Sequence, residues 1–253
     1  MVRPIIMGLG AAGALSAAAV TGVSLTRTDK PIEAARVSLA NAAGETVCIK
    51  SNVRLVEGMS AACYARAQYE AMRDRAVIAA DGSPVRVALA HPTDASIPAE
   101  TASNCAEYDS LIAEGWAALS SADMRREEYF RRACGALGFL AAARPARVSH
   151  FANGRASAEN VRSMATADAV GFGETDPSAT VDVAAVEDGV WKVTIGGGET
   201  MIYEIAHADF NRDGAGEILA YVSVGAAGGT ARSGSIGFME VPTAGAPCSF
   251  SAR

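Results

Sequence analysis

One short segment of this chain carries oxygen-bearing side chains at the spacing that a hard cation requires. From Asp209 to Glu217 the sequence reads Asp-Phe-Asn-Arg-Asp-Gly-Ala-Gly-Glu, so side-chain oxygens stand at positions 1, 3, 5 and 9 of a loop. Alternate side chains can converge on one ion, the carbonyl group of position 7 adds an oxygen, and Gly214 permits the sharp turn. Calcium prefers such oxygen ligands. We therefore predict a calcium site formed by Asp209, Asn211, Asp213, Ala215 and Glu217.

The loop differs from an EF-hand, because Ala220 stands where an EF-hand has a bidentate acid and strands are predicted on both sides. The arrangement Asp-Phe-Asn-x-Asp-Gly-x-x-Glu between two strands resembles the calcium loop of FG-GAP and VCBS-type repeats. In that family the loop closes a β-hairpin, often in a propeller of many blades that mediates adhesion or sugar binding. Here the resemblance covers residues 206–221 in one copy, with Glu217 where Asp is more usual and no FG-GAP sequence before the loop. The resemblance therefore implies a calcium loop, and it implies neither the propeller fold nor the function of the family.

The same residues also fit a turn without metal. Asp209, Asn211 and Asp213 can each accept hydrogen bonds from nearby backbone N–H groups, as in Asx-turns. Extracellular calcium modules bind their ion at roughly 10⁻⁴–10⁻³ M, so we expect any site here to be weak. The sequence leaves both interpretations open.

No residues close together in the sequence form a recognisable catalytic site. The chain has three histidines, at positions 91, 150 and 207. His91 lies near Asp94 and could act as a base, and His207 lies two residues before Asp209 and could flank a site. Neither has an identifiable partner nucleophile. The sequence therefore favours a non-enzymatic structural or binding protein, and the alternative is an extracytoplasmic hydrolase whose site assembles from residues distant in sequence.

The five cysteines are Cys48, Cys63, Cys105, Cys134 and Cys248. None forms a CxxC or CxxCH motif, which excludes the usual spacings of zinc, thioredoxin-like and c-type haem sites. In an exported protein, cysteines form disulfides by default. Two disulfides would use four of the five cysteines, so one free thiol would remain.

Helix geometry narrows the disulfide pairing. Cys105 lies on the apolar stripe of one predicted helix and Cys134 on that of the next, and two antiparallel helices turn their stripes towards each other. Measured from the turn near Ser121, the two cysteines stand about 24 Å and 20 Å along their helices, roughly one turn apart. We therefore predict a Cys105–Cys134 disulfide, a local Cys48–Cys63 pair, and Cys248 as the free thiol.

Hydrophobic periodicity predicts an α+β protein of two lobes. Residues 46–150 form a helical, disulfide-bearing lobe, with a helix over 61–75 capped by Ser60 and short strands at 47–49, 53–56 and 85–89. An αα-hairpin follows, with caps at Asn104 and at the turn 120–123. Residues 151–250 form an antiparallel β lobe, in which Asp188-Gly189 closes a type I′ hairpin. Further strands are predicted at 201–206, 218–224 and 236–241, with a long loop from Gly225 to Gly237.

The N-terminus has the features of a secretory signal. Arg3 precedes an uncharged segment, and Ala17-Ala18-Ala19 supplies the small residues that signal peptidase accepts. We predict a signal peptide over 1–19, with an uncleaved anchor over 5–25 or a buried helix as alternatives, and a spacer over 20–45. The protein is then extracytoplasmic, periplasmic or secreted, and touches a membrane only through an uncleaved N-terminus.

Net charge limits the partners further. The chain carries 22 basic and 28 acidic residues, a net charge of −6, and its isoelectric point is about 5.2. Nucleic acids and anionic lipids bind basic surfaces. The composition therefore argues against both as partners.

Overall fold

The first described elements are short strands and one short helix. The computed structural model describes residues 45–50, 53–167, 179–226 and 232–253. The elements are β1 (Thr46–Cys48), β2 (Cys63–Ala65), α1 (Arg66–Met72), β3 (Val87–Leu89) and β4 (Glu100–Ala102). Strands β1 and β2 pair antiparallel, and so do β3 and β4.

Two helices follow, each with a side-chain cap at its N-terminus. Helix α2 spans Cys105–Ala113, and the side chain of Asn104 accepts a hydrogen bond from the backbone N–H of Glu107 at 2.9 Å. Helix α3 spans Ser121–Ala142, and Ser120 accepts from the N–H of Asp123 at 3.0 Å. These bonds satisfy donors that a helix start otherwise leaves without partners. Both predicted caps are confirmed.

Helix α2 ends earlier than the apolar stripe suggested. The stripe continues to Trp116 and Leu119, but Gly115 adopts a φ of +87° and turns the chain out of the helix. The N–H of Gly115 bonds to the carbonyl of Ile112, and that of Trp116 to the carbonyl of Leu111. This is a Schellman motif, the common helix ending at glycine.

The C-terminal half forms a sheet of seven strands. They are β5 (Val148–Ser149), β6 (Val181–Glu187), β7 (Val190–Ile195), β8 (Gly198–Ala208), β9 (Ala215–Ala226), β10 (Arg232–Glu240) and β11 (Ser249–Ala252). The order β11-β10-β9-β8-β7-β6 is antiparallel throughout, and β5 pairs parallel with the start of β9. A 3₁₀ turn (Ala152–Gly154) and helix α4 (Ala158–Ala167) lie between β5 and β6 in sequence. The described chain is thus a mixed α+β fold with a large, mainly antiparallel sheet.

Helices cover both faces of this sheet. Along β9, Leu219 belongs to a core that also contains Phe130 and Leu137 of α3. Ile218 belongs to a second core with Met164 of α4. Successive residues of a strand point to opposite faces, so the middle of β9, from Ile218 to Val222, carries no charged side chain because both of its faces are buried.

Several predicted boundaries were wrong. The helix predicted over 61–75, with Ser60 as its cap, begins at Arg66 and ends at Met72. Residues 63–65 instead form β2, because Cys63 lies opposite Cys48 of β1. The strand predicted at 53–56 reduces to one isolated bridge from Val56 to Val77.

The hairpin turn between β6 and β7 also differs from the prediction. A type I′ turn needs positive φ at both central residues. Gly189 has a φ of +73°, but Asp188 is not among the residues with positive φ. The hairpin is present, therefore, and its turn is of another type.

Strands β9 and β10 are longer than predicted, to Ala226 and from Arg232, and most of the predicted loop 225–237 is strand. Residues 227–231 lie outside the described part of the chain.

The disulfide prediction is confirmed. Cys105 and Cys134 are bonded with their Cα atoms 5.2 Å apart, and this bridge joins α2 to α3. Cys48 and Cys63 form the second bridge, across β1 and β2. Cys248 is the free thiol; it is buried, and burial raises its pKa to about 12.

The predicted two-lobe division remains a prediction. The described residues belong to one compact unit, and residues on both sides of position 150 contribute to the first core. The predicted signal, anchor and most of the spacer (1–44) lie outside the described residues. Among the residues that are described, no helix is long and apolar enough to cross a membrane.

Candidate calcium site

The predicted calcium loop connects β8 to β9, and a neighbouring segment holds its backbone. Ala208 at the end of β8 pairs with Glu217 of β9. The backbones of Asp209 and Arg144 exchange two hydrogen bonds, of 2.8 and 2.9 Å. The carbonyl of Gly214 accepts from the N–H groups of Arg147 and Val148, at 2.9 and 3.1 Å. Both ends of the loop are thereby fixed to the chain that follows α3.

Three of the predicted ligands lie close together. Asp209, Asp213 and Glu217 can each offer a carboxylate oxygen such that all three atoms lie within 4.8 Å of one another. Asp209 and Glu217 are only 5% and 3% exposed, whereas Asp213 is exposed. Asn211 lies beside them, since its side-chain amide donates to Asp213 at 3.0 Å. The loop therefore gathers the side chains that the sequence analysis selected.

The same side chains accept hydrogen bonds from the loop backbone. Asp209 accepts from the N–H groups of Arg212 (2.6 Å) and Gly214 (3.1 Å). Asn211 accepts from the N–H of Asp213 at 2.9 Å, and Asp213 accepts from the N–H of Ala215 at 2.7 Å. These are the Asx-type contacts of the metal-free interpretation. A carboxylate has about four acceptor positions, so these bonds leave oxygen lone pairs available for a cation.

The fifth predicted ligand is a backbone atom. Ala215 opens β9, where it pairs with Val148 of β5. Its N–H group is held by Asp213. The participation of its carbonyl group remains a prediction.

Electrostatics in the loop favour a proton or a cation. Burial raises the pKa of Glu217 to about 7, and the nearby charges of Asp213, Asp209 and Glu240 act in the same direction. A hydrogen bond from the N–H of Phe210, at 2.8 Å, opposes this rise. Like charges at short range disfavour ionisation, and a bound divalent cation would remove that penalty.

Next to this loop, the fold places a serine against a histidine. The hydroxyl oxygen of Ser149 lies 3.0 Å from Nε2 of His207, although the two residues are 58 positions apart. Burial lowers the pKa of His207, and the charge of Lys50 lowers it further, which favours the neutral imidazole that a general base requires. Sequence reasoning selected His207 and missed Ser149, because no local motif connects the two.

Ser149 also takes part in a local turn. Its oxygen accepts from the N–H of Phe151 at 3.1 Å, and it lies 3.0 Å from the carbonyl oxygen of Phe151. A Cβ atom on Gly216 would collide with Nε2 of His207, so the imidazole packs directly on the backbone of β9. The pair therefore also has a structural explanation.

His91, which the sequence analysis gave as a possible base, makes its contacts within its own loop. Nδ1 of His91 accepts from the N–H of Asp94 at 3.1 Å, and its ring packs against Trp116 at 5.3 Å. Asp94 in turn accepts from the N–H of Ser96 at 2.9 Å. Three cavities of about 490, 470 and 290 Å³ are lined by residues other than His91, Asp94 and His207.

Comparison of this chain with protein-family models, with curated proteins and with solved structures gives no match.

Proposed function

We propose that this chain is an exported, non-enzymatic structural or binding protein whose β8–β9 loop binds calcium weakly. The observation that carries the proposal is the convergence of Asp209, Asp213 and Glu217 within 4.8 Å at the end of a hairpin. The resemblance of the loop to those of FG-GAP and VCBS-type repeats supports the same ligand. Two disulfides are compatible with an oxidising, extracytoplasmic compartment.

The finer architecture belongs to the proposal as well. The N-terminal lobe is a helical unit in which the Cys105–Cys134 bridge closes an αα-hairpin. The C-terminal lobe is the sheet, and it carries the calcium loop. In this arrangement calcium stabilises one hairpin of the sheet and takes no part in a reaction.

A thermal melt with and without calcium tests the site. Because the ion binds the folded loop and not the unfolded chain, it should raise the melting temperature as its concentration exceeds the dissociation constant. Asp213→Ala should abolish this rise, since it removes an exposed ligand from the cluster. We expect the effect to require calcium in roughly the 10⁻⁴–10⁻³ M range.

Asp81→Ala is the matched control. Asp81 is also exposed and also accepts the N–H of the residue two positions on, from Ser83 at 2.9 Å. Both variants therefore lose one Asx-turn, and only Asp213→Ala loses a predicted ligand. If calcium at several millimolar never shifts the wild-type melt, or shifts both variants equally, the loop is a turn without metal.

The Ser149–His207 contact supports a second candidate, an extracytoplasmic serine hydrolase. In such an enzyme His207 would take the proton from the Ser149 hydroxyl as that oxygen attacks a carbonyl carbon. A fluorophosphonate probe labels serines activated in this way, and intact-mass measurement detects the adduct. Labelling of the wild type that disappears in Ser149→Ala would favour the hydrolase. A wild type that stays unlabelled would leave the pair with its structural role.

A further inference from the structure

A cavity beside α3 carries chemistry that neither the calcium loop nor the Ser149–His207 pair uses. It measures about 490 Å³ and lies between α3 and strands β8 and β9. Its lining includes Arg125, Arg126, Glu128 and Arg132 of α3, Tyr203 of β8 and Tyr221 of β9. Its volume falls in the range of small-molecule sites. We call it the arginine cavity.

The charge of its lining is opposite to that of the whole chain. The chain has a net charge of −6, yet three arginines face this cavity with one glutamate. Arg126 is paired with Asp123 at 2.9 Å, and Arg132 lies over the ring of Tyr129 at 5.5 Å from its centroid. A cation–π contact is made through the positive charge and does not itself use the N–H donors of Arg132.

Two buried donors in this cavity lack partners. Among the described residues, three buried side-chain atoms have no hydrogen-bond partner, and two of them, Arg132 Nε and Tyr221 Oη, belong to residues of the arginine cavity. A buried polar atom destabilises the fold when it stays unpaired. Both groups can donate a hydrogen bond. Each of them therefore lacks an acceptor among the described residues.

The third unpartnered atom is an acceptor, and it belongs to a neighbouring cavity. Glu204 Oε2 lines a space of about 470 Å³ that shares Arg132 and Tyr203 with the arginine cavity. The other oxygen of Glu204 accepts from Trp191 Nε1 at 2.8 Å. This neighbouring space therefore needs a donor, such as water. Of these two spaces, the arginine cavity is the one whose described lining carries both unpaired donors and an excess of positive charge.

The fold holds the Tyr221 hydroxyl in place. Tyr221 is 4% exposed, and a Cβ atom on Gly234 of β10 would collide with this hydroxyl group. The rings of Tyr203 and Tyr221 lie 6.3 Å apart and form an aromatic wall. Gly234 therefore leaves room for the Tyr221 hydroxyl but offers it no side-chain hydrogen-bond partner.

We infer that the arginine cavity binds a small organic anion. A carboxylate or phosphate group accepts from Arg132 and from the Tyr221 hydroxyl, and the body of the ligand packs on the tyrosine rings. Arg125 and Arg126 at the exposed rim attract the anion. This site is separate from the calcium loop and does not depend on it.

Calorimetric titration of the full-length, disulfide-bonded protein tests the inference, with benzoate and phenyl phosphate as probes. Benzyl alcohol, which keeps the ring and lacks the charge, is the neutral control. We expect one or both anions to bind at millimolar concentrations or below and the alcohol not to bind. The two anions separate a carboxylate preference from a phosphate preference.

Variants locate the binding. Tyr221→Phe removes only the hydroxyl, so it should weaken binding roughly tenfold while leaving the melting temperature unchanged or slightly higher, because the lost group has no partner in the fold. Arg132→Gln should weaken binding more strongly, since it removes a charge. Arg131→Gln is the matched control, because Arg131 is paired with Glu127 at 3.2 Å and does not line the cavity.

The inference is wrong if neither anion binds, if benzyl alcohol binds equally well, or if Arg132→Gln and Arg131→Gln behave alike. Asp213→Ala should leave anion binding unchanged, so a failure of the calcium site and a failure of this cavity give different results.

Discussion

Glu217 is a buried carboxyl group beside two others, and such a group resists ionisation. In the folded protein its pKa is about 7, above the ordinary value of 4.5. The folded state therefore binds this proton more tightly than the unfolded state does. The resulting stabilisation is complete below pH 4.5 and is lost as the pH rises to about 7.

The raised pKa of Glu217 predicts how the stability of a variant depends on pH. In calcium-free buffer with a chelator, Glu217→Gln should be more stable than the wild type at pH 8, by an amount on the order of 3 kcal/mol. Near pH 4 the two proteins should be equally stable, because glutamine resembles the protonated acid. Thermal melts of both proteins across this pH range measure the difference.

The comparison isolates Glu217 from other titrating groups. His207 has a pKa lowered by burial, so it costs stability as the pH falls below 6.5, but it is present in both proteins. A wild type that matches Glu217→Gln at every pH would contradict the prediction. Added calcium should narrow the difference at pH 8, because a carboxylate binds the ion more tightly than the neutral amide of glutamine does.

Spacing along the chain could reveal the residues of the loop but not the residues of the other two sites. Asp209, Asn211 and Asp213 act within one turn, so their positions in sequence already determine their convergence. Ser149 and His207 meet only because β5 pairs with β9. In the sequence Tyr221 has the pattern of an ordinary core residue. The three-dimensional structure shows that its hydroxyl group lacks a hydrogen-bond partner among the described residues.

At the scale of elements, the two disulfides differ in exposure. Cys105 and Cys134 are 0% and 4% exposed and join two helices inside the first core. Cys48 and Cys63 are both exposed, on paired strands. A reductant reaches exposed sulfur atoms first, so the order of reduction should follow this difference.

We therefore predict stepwise reduction. Under mild reductant without denaturant, alkylation followed by peptide mapping should modify Cys48 and Cys63 before Cys105 and Cys134. Cys248 should stay unmodified in the folded protein, because it is buried and its pKa is raised. Mapping without reduction provides the control, and a peptide linking Cys134 to Cys248 would contradict the pairing.

The Cys105–Cys134 bridge should also matter more to stability. It closes a loop of 29 residues against 15 for the other bridge. The chain-entropy model gives about 3.6 kcal/mol for the longer loop and about 3 kcal/mol for the shorter one. Loss of the Cys105–Cys134 bridge should therefore lower the melting temperature more than loss of the Cys48–Cys63 bridge does.

The ends of helices and strands depend on tertiary contacts as well as on the local sequence pattern. The caps at Asn104 and Ser120 were predictable, because a capping side chain and the N–H groups that it satisfies are neighbours in sequence. The segment 61–65 has helical spacing, yet its end forms a strand because Cys63 is bonded to Cys48. Gly115 ends α2 although the apolar spacing continues beyond it. The hydrophobic spacing therefore predicted where these elements lie. Their ends were determined by a disulfide to a distant residue in one case and by a single glycine in the other.

At the scale of the whole molecule, the sheet explains why the chain needs so many apolar residues. Half of its residues are hydrophobic, and both faces of the central strands are covered. The α+β class followed from the alternation of helical and strand periodicity. The sheet order did not, because pairing of β5 with β9 joins segments that no local signal connects.

The last prediction concerns the compartment, and it follows from the cysteines together with the N-terminus. Disulfides persist in oxidising compartments, and Ala17-Ala18-Ala19 lies within an uncharged segment that runs from Ile5 to Leu25. Gly8, Gly10 and Gly13 make this segment a weak membrane anchor. We propose cleavage after Ala19, so the secreted protein should begin at Val20.

Intact-mass measurement of protein from the native host decides between cleavage and anchoring. We expect a mature mass in the extracytoplasmic soluble fraction, lowered further by the four hydrogens that two disulfides remove. Ala19→Arg is the informative variant, because signal peptidase requires a small residue at that position, so it should shift the product to the full-length mass and to the membrane fraction. If the wild type itself has the full-length mass in the membrane fraction, the segment 5–25 is an anchor. If the protein carries five free thiols in the cytoplasm, the export proposal fails, since the bridges that fasten β1 to β2 and α2 to α3 would then be absent where the protein works.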